Sequence, residues 1–259
     1  MRKLVVSICV LLFAPLAFAA EGGEGGADKP LDWRHWQAGN EIDNLASLQR
    51  GARNFMGYCV GCHSLRFMRY SRMAADLKIS DAQLEQFLLQ PGAKKNDYII
   101  TTLAPTDGDA WFGKAPPDLS LMTRARGVDK VYQFLKTFYS DPAAPTGVNN
   151  LVLPGTAMPH VLSDLQGVNE AVFGEAAAGG GEGAGAAAKP LLALKPIVPG
   201  KVSAEQYDEF VRDTVNFLSY VAEPVQSQRV SLGIWVILFL LTFTAIAHAL
   251  YKEYWKDVK

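Results

Sequence analysis

The chain is poor in cysteine and histidine. Three cysteines (Cys9, Cys59 and Cys62) and four histidines stand in 259 residues. A structural zinc site normally takes four ligands, usually from two cysteine pairs, and only one pair exists, so that use is excluded. The chain also lacks a basic excess. Residues 20–228 hold 24 Asp plus Glu against 19 Lys plus Arg, a net of −5. Such a surface excludes nucleic acid as a partner. It is either ordinarily soluble or suited to steering a basic partner.

Only two long apolar runs are present, one at each end. The first, residues 4–16, follows Arg2 and Lys3 and is too short to span a bilayer well. With Ala17-Phe18-Ala19 as a small-x-small cleavage site, residues 1–19 are predicted to be a cleaved signal peptide, and Cys9 leaves with them. The second run, LGIWVILFLLTFTAIAHAL (residues 232–250), is almost wholly apolar. About twenty helical residues rise roughly 30 Å, the thickness of a hydrocarbon core. A transmembrane helix is therefore predicted over 230–250. Tyr251, Tyr254 and Trp255 suit the interface. Lys252, Lys256 and Lys259 suit the cytoplasmic side, so the tail 251–259 is expected inside and the bulk of the chain exported.

The mature chain then keeps one cysteine pair, in YCVGCHSL (residues 58–65). An exported chain allows a disulfide. A thioredoxin-like pair wants a strand–helix–strand setting, which the flanks do not supply. Cys-x-x-Cys-His is what remains, the attachment sequence for c-type haem. A helical stripe of Leu45, Leu48, Ala52, Phe55 and Cys59 runs into it. Positions i, i+3 and i+4 share a face in a helical turn. Cys59 and Cys62 are thus placed to form thioethers to one porphyrin, with His63 delivered to its iron.

The rest reads as helices joined by long loops. Residues 20–43 are a flexible Gly-rich segment whose Trp33 and Trp36 pack on the domain. The basic, aromatic LRFMRYSRM (65–73) is expected to be a solvated face. A helix over 81–90 has Ser80 as N-cap, Leu84, Phe87 and Leu88 as its apolar side, and Pro91 as its stop. Residues 104–122 are rich in Pro, Gly and Asp and are expected to be loop. A further helix over 129–141 carries Val131, Phe134, Leu135 and Phe138 on one side, and another loop follows to His160. Residues 174–190 are a low-complexity Ala/Gly insertion. The last soluble helix opens with a capping box at Ser203 and Gln206, with Val202 and Tyr207 as staple. Tyr207, Val211, Thr214, Leu218 and Val221 form its stripe, and Pro224 ends it.

An electron-carrying haem iron usually has a second axial ligand, Met or His. Met56, Met68 and Met73 lie too near His63 in sequence. Met122, Met158, His35 and His160 remain. Met158, in the Pro-bounded loop LPGTAMPH, is preferred; His160 is read as a surface or supporting residue. A five-coordinate iron with Met158 merely packed is the bland alternative. Arg124 and Arg126 are either surface arginines or partners for the haem propionates, since a guanidinium fork matches a carboxylate.

Gly51, Phe55 and Cys59 resemble the N-terminal helix of class I c-type cytochromes, with Phe217 and Tyr220 as the matching contacts on the last helix. The order CVGCHS, APPDLS, RAR, PGTAMP and AEP, then one membrane helix, closely resembles the cytochrome c1 family, the haem subunits of bc1 complexes. The fold this implies is mostly α: a class I cytochrome c-like haem domain with long loops over 44–229, plus one C-terminal transmembrane helix. The resemblance implies one covalently attached haem c, bound through Cys59 and Cys62. His63 and Met158 would be its axial ligands, Arg126 and less directly Arg124 would pair with a propionate, and Pro116 and Pro117 would line the haem edge. It further implies cytochrome b and a Rieske iron–sulfur protein as partners within a dimeric complex. A c-type cytochrome or an oxidase would accept the electron. The location would be the bacterial inner membrane with the haem domain periplasmic. The chain would then need no general acid, base or nucleophile of its own. Trp111 and Phe112 either pack or shape the haem edge or a docking face. The rivals are a membrane-tethered cytochrome shuttle, a haem sensor with an open iron position, and a peroxidase, against which the few histidines speak.

Overall fold

The computed structural model describes residues 30–174 and 190–258. The expected signal peptide and all but the two ends of the Ala/Gly insertion lie outside the described residues. The order of elements is a 3-10 turn Trp33–His35, helix α1 Leu45–Tyr58, strand β1 Leu65–Arg69, helices α2 Tyr70–Asp76 and α3 Asp81–Phe87, and strand β2 Tyr98–Ile99. Helices α4 Pro105–Phe112, α5 Met122–Arg126 and α6 Val128–Lys136 follow, then strands β3 Phe138–Ser140 and β4 Val148–Asn150. Helix α7 Ser163–Gln166, strands β5 Gly167–Phe173 and β6 Leu191–Pro199, and helices α8 Ala204–Ala222 and α9 Gln226–Tyr254 complete it. The strands form three separate antiparallel pairs, β1–β2, β3–β4 and β5–β6. The predicted mostly helical cytochrome-like fold stands.

The frame is the crossing of α1 and α8. Asn44 caps α1 by accepting from the Ser47 amide, and Ser203 caps α8 in the predicted box with Gln206. Each cap satisfies donors that a helix start leaves open. At the crossing, Gly51 admits α8 so closely that a Cβ there would lie 2.1 Å from the Asp213 carbonyl oxygen. Phe55 and Phe217 pack beside it with ring centroids 5.9 Å apart. Buried polar groups lock the register. Asp213 accepts from Ser47 Oγ at 2.6 Å and from Arg50 Nε at 2.5 Å, and Asn54 donates to Thr214 Oγ1 at 3.2 Å. One apolar cluster surrounds this crossing with Leu65, Met68, Tyr70, Met73 and Leu84. A second joins Tyr132, Leu135, Tyr207, Val211 and Val215 where α6 meets α8.

Several expectations are corrected. The stretch 65–73 is not a solvated face: Leu65, Met68, Tyr70 and Met73 are buried, and only its charged members and Phe67 face outward. The pairing of β1 with β2 is irregular between Leu65 and Arg69, so Leu65 and Met68 both turn inward, and Tyr70 and Met73 lie on the inner face of α2. Residues 104–122 are not all loop, for α4 lies within them. Pro105 occupies its first turn and Gly113, at φ +73°, ends it in the left-handed conformation, with its N–H bonded to Asp109 O at 2.9 Å. Those turn residues mark the two ends of a helix rather than its absence. Helix α3 ends at Phe87, not at 90, and Phe87 is exposed. Phe138 belongs to β3, not to the preceding helix. The expected flexible segment 20–43 is packed from residue 31 onward: Leu31 N–H donates to Leu191 O at 2.7 Å, Ala38 N–H to Asp129 Oδ1 at 2.8 Å, and Trp33 is buried. The Ala/Gly insertion joins β5 to β6, where Gly174 N–H reaches Pro190 O at 2.8 Å.

Helix α9 is the one helix among the described residues long and apolar enough to cross a membrane. Its side chains stand almost entirely exposed, as lipid-facing residues would. It starts upstream of the predicted 230 and runs to Tyr254. Glu223, at the end of α8, joins the anchor to the domain. Its carboxylate lies 2.6 Å from Arg229 Nε on α9 and 3.4 Å from Arg124 Nη1 on α5. The Arg229 guanidinium holds that carboxyl below the usual range.

Where α6 meets α8, Asp208 accepts from Tyr132 and Lys136 and lies 2.6 Å from Arg212 Nε. Burial pushes its carboxyl up, but the bonds from Lys136 and Tyr132 and the nearby cations outweigh this and hold it below the ordinary value. A depressed carboxyl contributes stability above its unfolded value of about 3.9, and that stability is lost as pH falls through the folded value. Asp208→Asn is therefore expected to remove about 1 kcal/mol at pH 7. It should also flatten the fall in stability below pH 5, as read by denaturant titrations at several pH values. An unchanged acid limb would show the network to be idle.

Candidate haem site

Helix α1 delivers Cys59 at its C-terminal end. The Phe55 carbonyl accepts from both Cys59 N–H (2.9 Å) and Val60 N–H (3.0 Å), which tightens the last turn. The chain then folds back on itself. Cys59 O accepts from Cys62 N–H at 3.0 Å and from His63 N–H at 2.8 Å. Cys59, Cys62 and His63 thus share one closed turn, as their spacing predicts. Both cysteines carry free thiols. Burial, and secondly the neighbouring Cys62, push the Cys59 thiol up to about 12. A reactive redox cysteine needs the opposite shift. At Cys59 this disfavours the thiolate that thiol exchange uses.

His63 is held by its other nitrogen. Nδ1 lies 2.7 Å from the Pro117 carbonyl oxygen. A carbonyl only accepts, so Nδ1 carries the hydrogen and Nε2 keeps its lone pair. Burial lowers the proton affinity of the ring, while Pro117 and Asp118 push the other way. A neutral imidazole oriented through Nδ1 is the form that ligates a metal through Nε2.

The Pro117 segment is tied to the same turn. Leu119 N–H donates to Ser64 O at 2.9 Å, and Asp118 Oδ2 accepts from Arg66 N–H at 2.9 Å. Asp118 Oδ1 accepts from Ser120 N–H at 2.9 Å, a local turn that fixes the strand of prolines. From the other side, Thr101 Oγ1 donates to Gly61 O at 2.7 Å and Thr101 N–H to Ser64 Oγ at 3.0 Å. Buried Gly108 of α4 lies beneath Pro116. Pro116 is half-buried and Pro117 exposed. The sequence reading passed over Ser64, Thr101 and Asp118. Only Asp118 left a signal, as the acidic residue of an Asp-x-Ser turn.

The remaining candidates stand on other supports. Met158 is half-buried in an irregular loop, its N–H 3.3 Å from Thr156 Oγ1. His160 is buried and stacks on Phe138, with ring centroids 4.8 Å apart and planes 6° from parallel. Burial pushes its imidazole down to about 4. His35 is exposed and its Nδ1 lies 2.5 Å from Asp32. Met122 opens α5 and is half-buried. Arg124 faces Glu223, whereas Arg126 is exposed beside a hollow shared with Arg34 and Lys130. Trp111 is 69 % exposed, so the packing alternative does not hold for it. Two free thiols and an imidazole presenting Nε2 make a donor set that fits a c-type haem.

The sequence profile of the Cytochrome C1 family matches residues 33–171 and 197–258. The chain is 47 % identical to cytochrome c1 of Allochromatium vinosum, over 100 % of both chains. It is 38 % identical to a protein of Nitrosomonas europaea named as an ammonia monooxygenase gamma subunit, again over 100 % of both. Among solved structures, a chain of a hyperthermophilic respiratory complex III matches with a TM-score of 0.41 and 20 % identity, covering 90 % of this chain and 82 % of that one.

Proposed function

The chain belongs to the Cytochrome C1 family, which makes it the haem electron-transfer subunit of a bc1 complex, and from that premise we propose how its own residues serve the task. Cys59 and Cys62 hold one haem c through thioether bonds. His63 and Met158 would ligate its iron. Arg126 pairs with a propionate, and Pro116 and Pro117 wall the exposed edge. The observation that carries this reading is the 2.7 Å contact between His63 Nδ1 and Pro117 O, which puts the hydrogen on Nδ1 and leaves Nε2 with its lone pair.

The haem, when bound, supplies reversible one-electron transfer at its iron. The chain's part is to bind, orient and tune. The closed turn at Cys59 fixes where His63 stands. Ser64, Thr101 and Asp118 keep that turn and the proline wall in register, so little moves when charge changes. A rigid surround lowers the reorganisation that an electron transfer must overcome. The electron arrives from the Rieske iron–sulfur protein, beside cytochrome b, and leaves to a c-type cytochrome or an oxidase. Helix α9 is the anchor. Its lysine-rich end faces the cytoplasm and the haem domain faces the periplasm, after removal of residues 1–19. The complex is dimeric.

The deciding experiment is purification of the intact protein in mild detergent, with haem spectra and quinol-driven reduction. Co-purifying b-type haem and a Rieske signal, and c-haem reduction that stops with bc1-site inhibitors, are the expected result. A lone c-haem indifferent to quinol would replace this reading with a tethered shuttle. The same measurement separates the reading from a monooxygenase role of the kind named for the Nitrosomonas relative. Cys62→Ser tests attachment directly. The yield of haem-bearing chain in denaturing gels is expected to fall, because the turn then offers one thiol instead of two for attachment. A fully stable holoprotein would remove Cys62 from the role.

A further inference from the structure

We propose that Asn149 and Asn150 on β4 are positioning residues for the axial methionine. They set the loop that carries Met158, and the inference rests on the reading of Met158 as ligand. The loop between β4 and α7 has no regular structure, so its backbone donors need partners from elsewhere. Two adjacent amides supply them.

Asn150 is fully buried. Its Oδ1 accepts from Val152 N–H at 2.9 Å and from Leu153 N–H at 3.2 Å, and Thr137 Oγ1 approaches it at 3.4 Å. Its Nδ2 donates to Phe134 O at 2.7 Å, so the loop's first turn is bolted to the end of α6. Asn149 continues the frame. Its Oδ1 accepts from Gly155 N–H at 2.8 Å as well as from Asn150 N–H at 2.8 Å, and its Nδ2 donates to Asp141 Oδ2 at 2.9 Å. One more step, Thr156 Oγ1 to Met158 N–H, reaches the ligand itself. On the far side of Met158, His160 stacks on Phe138 of β3, the residue paired with Asn150 across the β3–β4 ladder. Both ends of the loop are therefore tied to one small unit, α6 with β3 and β4, and Met158 hangs between the ties.

No aspartate can replace Asn150 without loss, because both its acceptor and its donor are used in a buried setting. Neither asparagine need touch the haem. Their effect is on how often Met158 stands in ligating position, and a loosened loop leaves the iron open to other ligands.

The test uses the full-length holoprotein. Imidazole serves as the probe that competes for the sixth position in the oxidised state, alongside the reduction potential and the sulfur–iron charge-transfer absorption. Asn150→Ala is expected to raise the apparent imidazole affinity by about tenfold or more, to lower the potential and to weaken the absorption. Asn149→Ala, at a half-buried site that tolerates truncation, is expected to shift all three the same way by a smaller factor. Leu84→Ala removes a fully buried side chain from α3, which makes no bond to the loop, and is expected to lower stability while leaving the three readouts in place. If Asn150→Ala does not fold, Asn149→Ala decides. Wild-type imidazole affinity and potential in the foldable asparagine variants, with Met158→Ala shifted, would overturn the inference alone. If Met158→Ala shifts neither quantity, the ligand reading fails and the inference falls with it.

Discussion

Met158→Ala is expected to open the iron. The reduced protein should then bind carbon monoxide, which the wild type resists, and the potential should fall by a sizeable part of the roughly 0.8 V that axial ligands command. The physical reason is the thioether. A neutral, soft sulfur stabilises the reduced iron relative to a nitrogen ligand or water, so its removal favours the oxidised state. The candidates stand in different settings. His160 is buried against Phe138, and His35 is on the surface beside Asp32. Met122 belongs to the first turn of α5, whose partner is α8 through the bond from Thr123 Oγ1 to Leu218 O. Met158 lies in the loop whose backbone Asn149 and Asn150 hold. An unchanged spectrum and potential in Met158→Ala would reject it, and Met122→Ala would be the next variant to measure.

The parts of this site that were legible in the sequence are those in which side-chain identity does the chemistry. Cys59, Cys62 and His63 announce themselves because thioether and imidazole bonds need those atoms at that spacing. Ser203 and Gln206 announce α8 because a capping box needs both side chains. The anchor is legible because lipid demands an unbroken apolar run. What stayed hidden depends on backbone atoms or on distant pairing. The group that orients His63 is a carbonyl of Pro117, and a carbonyl has no letter of its own. Strands β5 and β6 pair across the Ala/Gly insertion, through partners such as Val168 and Val198, and no local pattern specifies a partner thirty residues away. Met68 and Met73 were read by the arginines around them, whereas the irregular pairing of β1 and the packing of α2 send them to the core. Asn149 and Asn150 look like ordinary turn residues until their bonds to the loop are seen.

Gly51→Val is expected to be the most destabilising single substitution at the α1–α8 crossing. An added Cβ would stand 2.1 Å from Asp213 O, 2.6 Å from Phe217 Cβ and 2.8 Å from Asp213 C. Two of those neighbours are backbone atoms, which no rotamer change can move aside. The helices must separate, and overpacking of this kind costs about 1–3 kcal/mol, at times more. Separation also stretches the bonds that Asp213 makes to Ser47 and Arg50. Asp213 is 4 % exposed, so its carboxylate has little water to replace them. Each buried polar group left unmatched costs a further 1–3 kcal/mol or so. The sum, about 2–6 kcal/mol, is a large share of the 5–15 kcal/mol that a folded protein typically has. At about 2–4 °C per kcal/mol for a domain of this size, the melting point should drop by on the order of 10 °C or more. Thermal unfolding of the haem-loaded protein reads this, and a melting point within a few degrees of the wild type would show that α1 and α8 are not in contact at Gly51. The consequence reaches the site as well. Cys59 is the C-cap of α1, so a displaced α1 carries the haem-binding turn with it. The turn is also tied to Thr101 and Pro117, which do not move with α1. Strain between the two sets of ties should therefore shift the reduction potential in whatever fraction still folds, whereas a destabilising lesion remote from α1 should leave it in place.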